Sequence, residues 1–170
     1  MERVPITGQG SYRRIKMEKK TITFTLNGEK RTIEVEPNDI LLEVLRTKLG
    51  ITAPKYGCGR GDCGTCTVLL DGKSVRSCLI LAIEVDGHEI TTLEGLSKDK
   101  LTPLQESFIE HSSFQCGFCA PGMIMSATEL LQKNPHPTEE EVKEAISGNL
   151  CRCTGYVSII EAILDASKKY

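Results

Sequence analysis

The sequence predicts an α+β protein built as two successive domains. Apolar residues recur with a period of two through the first half and with a helical period through the second, and eight cysteines divide four to each half. Cys58, Cys63 and Cys66 follow a C-x4-C-x2-C spacing, with Cys78 after eleven intervening residues. Cys116 and Cys119 form C-x2-C, and Cys151 and Cys153 close that group as C-x-C. No cysteine is left over.

In the first half, Ile22, Phe24 and Leu26 alternate with threonines, which predicts a half-buried strand over Thr21 to Leu26. Asn27-Gly28 is a strong hairpin signal, and Ile33 and Val35 resume the alternation in a returning strand. Pro37-Asn38-Asp39 ends that strand and offers Asp39 as an N-cap. Ile40, Leu41, Val44, Leu45 and Leu49 then mark an amphipathic helix that stops at Gly50. The cysteine loop runs from Gly57 to Cys66, and a second hairpin follows over Thr67 to Leu70 and Ser74 to Ser77, turning at Asp71-Gly72. A further strand is expected from Glu89 to Leu93. Strand, strand, helix, ligand loop, strand, strand is the order of a β-grasp domain.

Beyond about Leu96 the pattern turns helical. Thr102-Pro103-Leu104-Gln105 combines a cap, Pro at the first helical position and a capping-box Gln, opening a helix to about His111. Met123, Ile124, Ala127, Leu130 and Leu131 give the next helix its apolar face, ended by Pro135 and Pro137. A second capping box, Thr138 to Glu141, starts a helix to Ile146. Gly148 to Gly155 is the turn that carries Cys151 and Cys153, and Ile159, Ile160, Ile163 and Ala166 mark a last helix. A small four-helix bundle results, its cysteines on two inter-helix turns. The expected domains are an N-terminal extension over 1–19, a first domain over 20–97 and a helical domain over 98–170.

Composition narrows the function. Twenty-one basic and 23 acidic residues give a formal charge of −2 without a basic stripe, which argues against a nucleic-acid partner. No apolar run is long enough to span a membrane. Ser11 to Lys16 superficially resembles a twin-arginine export signal, but the apolar stretch such a signal needs does not follow. A cytoplasmic protein is expected. No nucleophile is paired with a base, and His88, His111 and His136 stand isolated as expected surface or loop residues.

C-x4-C-x2-C with a distant fourth cysteine is the plant-type ferredoxin arrangement, in which four thiolates hold one 2Fe-2S cluster. Gly57, Gly59, Gly61 and Gly64 interleave with those cysteines and let backbone N–H groups face sulfur. The string Gly59-x-Gly61-x-x-Gly64 matches a dinucleotide fingerprint, but that motif must follow a strand and open a helix, and here a strand follows. In the second group, C-x2-C before a helix lets two thiolates converge at its positive end. An extended C-x-C would point Cys151 and Cys153 the same way and Arg152 elsewhere. Disulfides would require an oxidising compartment. Zinc held by Cys63, Cys66, Cys116 and Cys119 would strand the other four cysteines. Two 2Fe-2S clusters and electron transfer are therefore the leading reading, with a zinc-stabilised module and a free-standing 2Fe-2S carrier as alternatives.

Three segments carry a resemblance: Gly57 to Cys66, Gln115-Cys116-Gly117-Phe118-Cys119-Ala120-Pro121-Gly122-Met123, and Gly148-Asn149-Leu150-Cys151-Arg152-Cys153-Thr154-Gly155-Tyr156. Over about Lys20 to Lys168 the chain resembles the small iron-sulfur subunit of the molybdenum hydroxylases, the xanthine dehydrogenase, aldehyde oxidoreductase and carbon monoxide dehydrogenase family. It departs in having Ala120 where Thr is common, and in its N-terminal extension. The resemblance implies a ferredoxin-like 2Fe-2S domain followed by a helical 2Fe-2S domain. It further implies that Cys116, Cys119, Cys151 and Cys153 hold a cluster proximal to a molybdopterin cofactor, and that Cys58, Cys63, Cys66 and Cys78 hold a distal one. Gln115 and Cys153 would lie against that pterin, which a large partner subunit would bind. A medium subunit would bind FAD, the whole assembling as a dimer of heterotrimers. This chain would relay electrons without catalysing, and substrate choice would rest with the large subunit.

Overall fold

The computed structural model describes residues 18–97 and 100–170. The expected extension over 1–19 and its twin-arginine-like string lie outside the described residues, save the last two positions of the extension. The chain is α+β, as the patterning predicts. Strands β1 (Lys20–Leu26), β2 (Glu29–Val35), β3 (Thr67–Leu70), β4 (Lys73–Arg76) and β5 (Glu89–Thr91) form one mixed sheet in the order β2-β1-β5-β3-β4. β1 runs antiparallel to β2, with Leu26 opposite Glu29, and parallel to β5.

Ile22, Phe24 and Leu26 alternate inward as expected and pack with Val35, Leu45, Val68 and Ile90. The helix crossing this face begins as α1 (Leu41–Glu43) and continues as a π-helical turn over Val44–Lys48. Asp39 does not cap it, contrary to expectation: the N-cap is Ile40, without a side-chain bond. The Asp39 carboxylate instead accepts the Glu36 N–H at 2.9 Å and pairs with Lys48 at 2.6 Å, so it staples both ends of the helix region to the preceding turn. Burial opposes that charge, but the Lys48 and Glu36 hydrogen bonds outweigh it and hold the carboxyl below its ordinary value.

The last strand is shorter than expected. Asn27, at positive φ in the first hairpin turn, accepts the Thr92 N–H at 2.8 Å and donates to the Thr92 hydroxyl at 3.0 Å. That pair ends β5 at Thr91 and lets α2 (Leu93–Leu96) start where strand was predicted.

In the second half, α3 (Pro103–Glu110) and α5 (Glu139–Ile146) both open on the predicted capping boxes, Thr102 with Gln105 and Thr138 with Glu141. α4 (Ala120–Lys133) and α6 (Val157–Ser167) complete the set. Their core joins Leu104, Phe108, Met123, Leu131, Ile159 and Ile163. The Ser107 hydroxyl donates to the Ala162 carbonyl at 2.8 Å, binding α3 to α6. α4 also lies across β3 and β4, where Glu129 accepts the Ser74 N–H at 2.8 Å. The two halves are thus packed through α4. Among the described residues no helix is long and apolar enough to cross a membrane.

Candidate metal centres

The β3–β4 hairpin positions half of the first cysteine group. Its register sets Thr67 opposite Arg76, so Cys66, just before β3, and Cys78, in the 3-10 turn Ser77–Leu79, come side by side. Ser77 seals the pair by donating from its hydroxyl to the Cys66 carbonyl at 2.7 Å. Both cysteines are buried, and burial followed by the neighbouring Cys66 pushes the Cys78 thiol up to about 11. Cys58 and Cys63 lie on the outer loop. The N–H groups of Arg60 and Cys63 both point at Cys58 Sγ from 3.5 Å, and they draw that thiol down to about 6. The expectation that backbone donors face sulfur in this loop therefore has a definite form: two N–H groups aimed at the Cys58 sulfur.

The second group comes from two turns. Cys119 is the N-cap of α4 and is buried, whereas Cys116 is exposed. Burial, then the adjacent Cys151, pushes Cys119 up to about 12. Cys151 and Cys153 occupy the turn between α5 and α6. Burial would raise Cys151, but the Thr154 hydroxyl, 3.3 Å from its sulfur, and nearby backbone N–H groups bring it below its ordinary value. Cys153 Sγ reaches Cys116 Sγ at 3.7 Å. The C-x-C segment is not extended as expected. Tyr156 sits at φ +72°, and its hydroxyl accepts the Cys151 N–H at 2.9 Å, so residues 152–154 bend instead of running straight. Cys151 ends half-buried and Cys153 exposed, with Arg152 exposed between them.

None of the eight cysteines is in a disulfide, and they gather as the spacing divides them: the Cys63 N–H meets Cys58, Cys66 neighbours Cys78, Cys119 neighbours Cys151, and Cys116 neighbours Cys153. Gln115 donates from Nε2 to the Cys153 carbonyl at 3.1 Å, so the two residues singled out beside the second group do meet. Among the described residues no three or more Cys, His, Asp or Glu side chains surround a single point as one metal ion requires. His88 pairs with Asp71 at 2.6 Å and His111 with Asp165 at 3.5 Å, each away from the cysteines.

Sequence reasoning passed over the polar contact between the groups. Asn149, Thr67, Arg76 and Ser126 form one hydrogen-bonded patch there, and Leu150 donates its N–H to the Cys63 carbonyl at 2.9 Å. Asn149 reads locally as a turn residue, and only its place between glycine and cysteine motifs distinguished it.

Two family matches define an iron-sulfur protein. Residues 24–97 match the 2Fe-2S iron-sulfur cluster binding domain family, and residues 92–164 match the 2Fe-2S binding domain family. The small subunit of nicotine 6-hydroxylase from Paenarthrobacter nicotinovorans is 55% identical over 85% of this chain and 88% of its own length. The small FeS subunit of nicotinate dehydrogenase from Eubacterium barkeri is 51% identical over 90% and 98%. A crystal structure of quinoline 2-oxidoreductase from Pseudomonas putida 86 superposes with a TM-score of 0.86 at 48% identity, covering 88% of this chain and 94% of that one. The chain belongs to the family of small iron-sulfur subunits of the molybdenum hydroxylases, and it carries two 2Fe-2S clusters.

Proposed function

We propose that this chain relays electrons between a molybdopterin centre in a large partner subunit and a medium FAD-binding subunit or external acceptor. The observation that carries the reading is the contact between the cysteine groups: the N–H of Leu150, next to Cys151, meets the carbonyl of Cys63 at 2.9 Å. Each 2Fe-2S cluster, when bound, takes up one electron and passes it on. The protein's part is to hold both sites at fixed separation and to expose one edge of each.

Within this reading Cys58, Cys63, Cys66 and Cys78 are ligands of the distal cluster, on a β-grasp domain over 20–97. Cys116, Cys119, Cys151 and Cys153 are ligands of the proximal cluster, on a four-helix-bundle domain over 98–170, and residues 1–19 are an extension. The fit is chemical as well as spatial. Cys58 is already acidic, and the buried Cys78 and Cys119 thiols give up protons on binding iron, so cluster assembly releases protons. Gln115 steadies the exposed Cys153 through its backbone carbonyl, and both face the pterin of the large subunit. The complex is a cytoplasmic dimer of heterotrimers.

Iron, zinc and acid-labile sulfide, measured on protein purified without oxygen, test the cluster reading together with low-temperature EPR after dithionite reduction. Four iron and four sulfide per chain with two distinct signals are expected. Zinc without sulfide would reduce the protein to a structural module. Affinity purification from its native host should bring down a large and a medium subunit, and recovery of a lone monomer would leave a free-standing carrier.

A further inference from the structure

Asn149 lies outside the cysteine set, yet its side chain touches both cysteine groups' supports. It is 1% exposed, and every polar atom of its carboxamide is used. Nδ2 donates to the Gly64 carbonyl at 2.9 Å and to the Thr67 hydroxyl at 3.2 Å, while Oδ1 accepts from the Ser126 hydroxyl at 2.8 Å. A carbonyl can only accept, so Gly64 fixes which end of the amide faces it. Gly64 stands between Cys63 and Cys66, and Thr67 follows Cys66. Asn149 itself is two residues before Cys151, and Ser126 is about two turns along α4 from Cys119. One side chain is therefore bonded to segments adjoining ligands of both groups.

The backbones around it are in direct contact. Gly64 has φ +70°, and a Cβ there would collide with the Gly148 carbonyl and lie 2.8 Å from Asn149 Cα. A Cβ on Gly122 would strike the Gly64 carbonyl and come 3.0 Å from Asn149 Nδ2. Arg76 reinforces the junction, donating to the Gly148 carbonyl and to the Thr67 hydroxyl at 2.8 Å each. A role limited to ending α5 would use only the Asn149 N–H, which goes to the Ile146 carbonyl at 2.9 Å, and would leave the carboxamide without purpose.

We propose that Asn149 is a positioning residue that sets the separation of the two clusters by tying the first cysteine loop to the second cysteine turn. The proposal rests on the eight cysteines being the cluster ligands. Two reduced clusters close together split or broaden each other's EPR lines, an effect that weakens steeply with distance. The test is low-temperature EPR on the full chain, reconstituted anaerobically with iron and sulfide and reduced with dithionite.

Asn149→Ala is expected to keep both signals and the iron content while the splitting changes measurably, the Leu150–Cys63 and Arg76–Gly148 bonds still holding the two segments together. Ser126→Ala keeps the bonds to Gly64 and Thr67 and should change it less. A purely structural role would lower the unfolding temperature and leave the splitting of intact protein alone, and that result overturns the proposal. Should Asn149→Ala fail to retain its clusters, Asn149→Gln serves instead: its longer arm must displace Gly64 and change the splitting, and an unchanged splitting again overturns the proposal. Wild-type protein without acid-labile sulfide would overturn the cluster reading itself, a result distinct from loaded protein with unaltered coupling.

Discussion

In the first cysteine group, three of the four cysteines share one loop and the fourth stands at the end of the hairpin which that loop feeds. In the second, the paired Cys116 and Cys153 are 37 residues apart and meet only because two inter-helix turns are packed together. The first site is thus organised by local chain geometry: a hairpin register and two N–H groups aimed at one sulfur. The second is organised by a helical core that must already be in place. Local sites tolerate distant damage, whereas assembled sites inherit every weakness of the packing behind them.

Replacing a buried cysteine is the largest test of this contrast. Cys119→Ser should remove the second cluster, halving the iron per chain, and leave the first group's EPR signal in place, because the sulfur of Cys119 lies with Cys151 and Cys116 and not with the first group. Loss of both signals from folded protein would show that the sites are not independent. Next in size is the helical core. Phe108 is buried against that core, and Phe108→Ala should cost about 3–5 kcal/mol by urea denaturation. Iron bound by the helical half should be released at lower urea than iron bound by the sheet half. Simultaneous release would break the comparison.

A smaller effect concerns the seam between the halves. Burial alone would raise the Glu129 carboxyl, but the hydrogen bonds from Lys133 and Ser74 outweigh it and hold it below its ordinary 4.5. A carboxyl lowered by folding stabilises the protein above its unfolded value, and that contribution is lost as pH falls through the folded one. A charge-assisted bond of this kind is worth about 1.5–3 kcal/mol. Wild type should therefore exceed Glu129→Gln in stability at neutral pH, with the gap closing as pH falls below 4.5. A gap independent of pH would assign the effect to packing.

The same contrast governs what the sequence made legible. Hairpin turns, capping boxes and cysteine spacing are local codes, so the strands, both boxed helices and the division of the cysteines could be read directly. Asp39 misled because Lys48, nine residues on, competes for the carboxylate that a cap would use. β5 ended early because Asn27 reaches it from 65 residues away, and the C-x-C turn bent because Tyr156 folds its hydroxyl back on Cys151. Asn149 was invisible as a junction for the same reason. Its partners Gly64 and Thr67 lie 85 and 82 residues distant.

The smallest effect sharpens the distinction between stability and site assembly. Thr138 caps α5, accepting the Glu141 N–H at 3.3 Å, while the Glu141 carboxylate takes the Thr138 N–H at 2.7 Å. Thr138→Ala should cost about 1 kcal/mol. The lost bond lies at the start of α5, whereas the cysteine turn leaves its far end, past Val142 and Ile146, which remain anchored in the core. Fraying the first turn should therefore lower the denaturation midpoint without changing the iron content or the Cys151 environment. If so slight a change at the remote end of one helix did reduce the second cluster's occupancy, the assembled site would depend on the whole of α5 and not only on the packed turn that delivers Cys151.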